Sequence, residues 1–171
     1  MIFGFYEGAM KGLWLVPLFG LVMWAHHLCA AVQYELVNKE RMAGENVVGV
    51  FCAPDKEGRP VDPLKEFSLK NGLPIHQPTS WKSEKALELM KSLEPDLCVM
   101  AYVTLLVSQE VIDTPTHGTI QYHPSLLPLH RGPSSINWPI IQGATRTGLS
   151  IFWPDAGLDE GPILIQKEVD I

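Results

Sequence analysis

The apolar positions of the chain fall into compact runs separated by polar, proline-rich connections. VVGVF at 47–51 is β-branched and bounded by polar residues, which reads as a buried strand. LCVMAYV at 97–103 is a second wholly apolar run. GTIQYH at 118–123, TGLSIFW at 147–153 and ILIQKEVDI at 163–171 read as further strands, and LPIHQP at 73–78 as a short strand or extended segment. Helical spacing appears between them. Residues 64–71 fit a short helix closed by Gly72. Ser80 or Ser83 caps a helix running through Leu93, with Glu84 and Glu88 early and Lys91 late, as the helix dipole favours. Residues 108–112 read as a helical turn and 136–142 as a short helix. Strands alternating with helices predict an α/β fold with a mainly parallel sheet. The last two strands, joined without a helix, are expected to be an antiparallel or bent addition. No internal repeat or low-complexity tract interrupts the pattern.

The first 46 residues stand apart as an atypical apolar segment, leaving 47–171 as the core of what reads as a single domain. Residues 13–16 fit a strand and 17–20 a turn. Leu21, Trp24, Leu28, Ala31, Val32 and Leu36 then recur near the helical period, up to a stop at 44–46. No Asp, Glu, Lys or Arg lies between Lys11 and Glu35, so residues 12–32 are long enough to span a bilayer. Pro17, Gly20, His26 and His27 weaken a spanning helix. A first strand–turn–helix unit and a membrane or targeting segment both stand as readings of this stretch.

Charge and cysteine usage narrow the function. The formal net charge of -6 over 171 residues argues against a general nucleic-acid binder, which needs a basic face. Cys29, Cys52 and Cys98 are an odd set without C-x-x-C spacing, which fits a reducing, cytoplasmic setting. A content of 46% hydrophobic and 19% charged residues is that of a folded domain.

Candidate chemistry gathers at strand ends, where open α/β sheets bind ligands. His123 ends one predicted strand, and Asp159 lies in the loop after the next. Facing one another, the Asp would orient the imidazole for acid–base work. Gln121 shares a face with His123 by alternation and offers an amide to a developing oxyanion. Pro124 and Pro128 restrict the backbone and hold His123 still. The bland alternatives are a structural histidine and an Asp serving turn geometry. A metal site from His123, His130 and an acid matches no standard ligand spacing, so no metal is expected.

HPSLLPLHRGPSSINW, followed by TGLSIFWPDAGLDEGPILIQKE, resembles the formyltransferases that use 10-formyltetrahydrofolate, most nearly the hydrolase-domain branch found in 10-formyltetrahydrofolate dehydrogenases. VVGVFCAPDKEGRPVDPL and THGTIQYHPSLLP extend the likeness, so it runs from about residue 47 to the C-terminus. It implies a Rossmann-like, mainly parallel sheet with helices on both faces and a folate cleft at the strand ends. It implies 10-formyltetrahydrofolate as formyl donor, with water or an amine as acceptor. The family's Asn-x-His plus Asp set falls on Gln121, His123 and Asp159, with Gln where transferases place Asn. Leu127-Pro128 matches the family's cis peptide. Tyr102, Val103, Leu105 and Leu106, with Trp153, Asp155 and Gly157, match segments that wrap the pterin. Family members continue past residue 171, so the resemblance implies a chain shortened at its C-terminus. Methionyl-tRNA formyltransferase is the alternative, but it predicts Asn at 121 and a basic surface. A non-catalytic fragment of the same fold is another.

Overall fold

The computed structural model describes residues 46–101, 103 and 105–171. The expected strand at 13–16, helix at 21–37 and membrane-length stretch at 12–32 lie outside the described residues. The chain divides into two compact units, Met1–Pro78 and Thr79–Ile171.

In the first unit, β1 (Val50–Phe51), α1 (Pro63–Lys70) and β2 (Ile75–His76) form a strand–helix–strand sequence. Pro63 sits at the start of α1, where its missing N–H is one the helix would not use. The Asp62 carboxylate accepts from the Leu64 N–H at 2.9 Å, satisfying another of the orphan donors. Val50 and Leu64 are buried, and the buried Ser68 hydroxyl donates to the Leu64 carbonyl at 2.8 Å. The two strands pair in parallel with Val50 opposite Ile75. β1 is shorter than the apolar run at 47–51 because Pro74 and Pro78 flank its partner. Neither has an N–H to extend the ladder.

The polar loop after β1 is anchored by side chains. The Lys65 ammonium pairs with Asp55. The Gln77 amide donates to the Ala53 carbonyl at 2.7 Å and to Asp55 Oδ1 at 3.1 Å. Burial, reinforced by the Asp62 charge, pushes the free Cys52 thiol up to about 11. Only the thiolate reacts, so Cys52 should alkylate slowly at pH 8. Its rate should rise roughly tenfold per pH unit as the pH climbs toward that value. A rate at pH 8 equal to that of the unfolded chain would contradict this environment.

The second unit holds α2 (Glu84–Leu93), β3 (Cys98–Ala101), α3 (Gln109–Ile112), β4 (Thr119–His123), α4 (Asn137–Ile141), β5 (Arg146–Phe152) and β6 (Ile163–Asp170). Of the two candidate serines, Ser83 caps α2: its hydroxyl accepts from the Ala86 N–H at 3.3 Å and donates to the Ser80 carbonyl at 2.9 Å. Glu94 adopts a left-handed conformation (φ 45°) and Pro95 follows, so the helix stops there. Ala86 and Met90, one turn apart, are its buried residues.

The sheet order is β3-β4-β5-β6. β3 and β4 run parallel, with Ala101 opposite Tyr122. β5 and β6 pair antiparallel, as expected of two strands joined without a helix, and β5 also runs antiparallel to β4 although α4 lies between them in sequence. Val111, Ile120, Ile151 and Phe152 form the core of this unit, Phe152 completely enclosed. The α/β expectation holds in each unit.

Candidate active site

Alternation along β4 sends Ile120 and Tyr122 to one face and Gln121 and His123 to the other. Asp159 comes to the second face from the β5–β6 loop, where it holds a left-handed φ of 49°. Its Oδ2 lies 3.5 Å from His123 Nδ1, and both side chains are only 7% exposed. That separation is long for a hydrogen bond but close for an ion pair. The Gln121 amide donates to Asp159 Oδ1 at 3.2 Å. The Gly132 N–H donates to Oδ2 at 2.7 Å. Both carboxylate oxygens therefore act as acceptors, which suits the ionised form.

The other imidazole nitrogen is engaged as well. His123 Nε2 stands 2.9 Å from the His130 carbonyl oxygen. A carbonyl only accepts, so Nε2 carries a proton and donates. A second proton, at Nδ1, would face the Asp159 carboxylate. The ring thus holds one N–H on a replaceable backbone acceptor and turns its other nitrogen to a fixed negative charge. Such a group can donate to a developing oxyanion or pass a proton.

The stretch between His123 and His130 is held rigidly. The Leu127-Pro128 bond is cis. The Ser125 N–H donates to the His123 carbonyl at 2.9 Å. The Ser125 hydroxyl donates to the Leu129 carbonyl at 2.6 Å. From β5, the enclosed Ser150 hydroxyl donates to the Ser125 carbonyl at 2.7 Å and accepts from the Leu127 N–H at 3.0 Å. Gly148 leaves room for this loop: a Cβ there would stand 2.3 Å from the Lys167 carbonyl oxygen and 2.5 Å from the Leu126 side chain.

The remaining sequence-predicted residues are spread more widely. Tyr102 lies outside the described residues. Val103, Leu105 and Leu106 leave the carboxyl end of β3 with exposed side chains, Leu106 at 69%. Trp153 follows β5, and its indole lies against Gly118 at the opposite end of β4 from His123. The Trp153 N–H donates to the Pro162 carbonyl at 3.0 Å. Asp155 Oδ1 accepts from the Gly157 N–H at 3.0 Å, a local turn. Pro124 is half-buried, Pro128 is exposed and Leu127 is buried. Gln121, His123 and Asp159 thus converge. Sequence reasoning missed the His130 carbonyl, the Gly132 N–H and Ser150. Backbone groups carry no residue-type signal. Only the glycine in HRG and the serine opposite His123 in the strand register hinted at them. Among the described residues, no three His, Cys, Asp or Glu side chains converge as a ligand set.

The human mitochondrial 10-formyltetrahydrofolate dehydrogenase is 42% identical over 142 residues, covering 80% of this chain and 15% of that protein. The chain therefore spans about a seventh of the length of that relative. A methionyl-tRNA formyltransferase from Trichlorobacter lovleyi is 38% identical over 132 residues, covering 74% of this chain and 42% of that one. Among solved structures, the phosphoribosylglycinamide formyltransferase of Bacillus halodurans superposes with a TM-score of 0.71 at 22% identity, covering 83% of this chain and 76% of that one, a likeness of fold. The sequence profile described as formyl transferase matches residues 22–171. With that match spanning most of its length, the chain belongs to the formyl transferase family.

Proposed function

We propose that this chain binds 10-formyltetrahydrofolate and removes its formyl group, with water as acceptor. The observation that carries the reading is the buried His123–Asp159 pair, set at the end of a strand and joined by Gln121. Water adds to the formyl carbon and its π electrons move onto the carbonyl oxygen. The His123 Nε2–H exchanges the His130 carbonyl for that oxyanion. His123 relays a proton from the added water to N10 as the C–N10 bond breaks, and tetrahydrofolate leaves with formic acid, which ionises to formate. Asp159 orients His123 and balances its charge, so the imidazole arrives at the transition state already placed. Gln121, one methylene longer than Asn, spends its amide on Asp159. This leaves one side-chain donor fewer for an amine-bound intermediate and favours water. Exposed Val103, Leu105 and Leu106, with backbone groups near Trp153, Asp155 and Gly157, are the proposed folate contacts. Tyr102 is the proposed fourth member of the first segment.

The relatives bear both mitochondrial and cytosolic names. The Cys52 thiol, outside any disulfide, supports a reducing compartment such as the cytoplasm. No metal is required by this chemistry.

Formate release from 10-formyltetrahydrofolate, measured with and without amine acceptors, tests the proposal. The expected result is formate production that amines do not accelerate. Formyl transfer to an added amine without formate would move the assignment to a transferase. The second reading, formylation of a methionyl-tRNA amine, is favoured by the 38% identity to the Trichlorobacter relative. Formylated methionyl-tRNA as the product would establish it. No turnover and no heat on titrating a stable folate analogue would leave a non-catalytic member of the fold.

A further inference from the structure

Three strands place one residue each in a single row across the sheet. His123 on β4 stands opposite Ser150 on β5, and Ser150 stands opposite Gln166 on β6. Residues directly opposite in antiparallel pairs project to the same face. The loop 124–130 lies over this row and is bound to it at several points. The Gln166 amide nitrogen donates to the Leu127 carbonyl and to the Ser150 hydroxyl, both at 2.8 Å. Ser150 in turn holds the Ser125 carbonyl and the Leu127 N–H. The loop ends at the His130 carbonyl, the acceptor of the His123 Nε2–H.

We infer that Gln166 is a positioning residue for the formyl-releasing site: by pinning the loop 124–130 from two strands away, it sets where the His130 carbonyl meets His123. The inference rests on His123 being the reacting group proposed above. Gln166 is itself exposed, unlike the enclosed Ser150 and Ser125. Burial therefore does not account for its side chain, and the fold should tolerate its replacement. An apolar side chain of similar length cannot donate to Leu127, and the loop then loses its only described tie to β6 through that carbonyl. A lysine keeps a donor at a similar reach.

The test uses the full chain with 15N-labelled histidine. In the wild type, His123 should show a slowly exchanging Nε2–H. In Gln166→Met, exchange of that proton should accelerate by at least roughly tenfold, and kcat for formate release should fall by a similar factor. KM should stay within about twofold, because the folate contacts lie elsewhere, and the far-ultraviolet circular dichroism should be unchanged. Gln166→Lys should recover both the protected proton and most of kcat. A Gln166→Met protein whose His123 signal matches the wild type overturns the inference, as does a failure of lysine to rescue. The two readings fail separately. An inactive wild type removes the proposed reaction, while the His123 signal still decides whether Gln166 positions the ring.

Discussion

Replacing His123 by alanine is expected to cut formate release from 10-formyltetrahydrofolate by roughly a thousandfold, the scale of positioned acid–base catalysis. The imidazole is the one titratable ring in the trio, and its Nε2–H is the one donor there whose partner, the His130 carbonyl, can be exchanged for a substrate oxygen. The alanine variant also strands that carbonyl, at a stability cost of about 1–3 kcal/mol. A His123→Gln variant separates the two effects: its amide can still donate to His130 but has no proton to give near neutral pH. Both variants should be equally slow, and the glutamine one should melt closer to the wild type. Asp159→Asn should lose less, on the order of a hundredfold, because one oxygen acceptor survives while the charge beside Nδ1 is gone. Gln121→Leu should lose least, since the Gly132 N–H still holds the other carboxylate oxygen. Rates measured on protein verified as folded check the order. A His123→Ala protein retaining a tenth of the wild-type rate would remove the ring from the chemistry.

Gly161→Ala is expected to damage both fold and activity. Gly161 has a φ of 128°, a region L side chains rarely enter, and a Cβ there would stand 1.9 Å from the Trp153 carbonyl oxygen. Neither partner can yield easily. The Trp153 N–H is bonded to the Pro162 carbonyl and the Asp155 N–H to the Glu160 carbonyl, so the two sides of the loop are tied together around the clash. Relief requires opening this loop, at a cost on the order of 3 kcal/mol. For a chain of this size that lowers the thermal midpoint by roughly 10 °C. Asp159 lies two residues upstream in the same loop, so its alignment with His123 should go too. Calorimetry and the formate assay read the two effects on one sample. An alanine variant with the wild-type midpoint would mean that the turn relaxes freely.

The elements of the fold were legible where one local rule decided them. Periodicity and a capping serine located α2, β-branched runs located the strands, and the absence of a helix between the last two strands anticipated their antiparallel pairing. Strand lengths were less legible. The run 47–51 is apolar throughout, yet β1 is two residues long because two distant prolines limit its partner. Apolar character shows what a residue prefers to be near; a ladder also needs an N–H and a carbonyl from another part of the chain.

The candidate site divides along the same line. The order of residues in QYHPSLLP, together with the Asp of GLDEG, marked Gln121, His123 and Asp159 as the candidate set, because alternation and loop position are local properties. Their partners were not marked. The Gln121 amide reaches a carboxylate 38 residues away, and Gln166 grips a carbonyl 39 residues away. The backbone groups of His130 and Gly132 carry no signature of their role in any side chain. Sequence by itself determined which chemical groups were available and on which faces of their strands they stood. Only the tertiary structure decided which of them meet, because a hydrogen bond between distant segments depends on register and loop closure, and these follow from the packing of the whole unit.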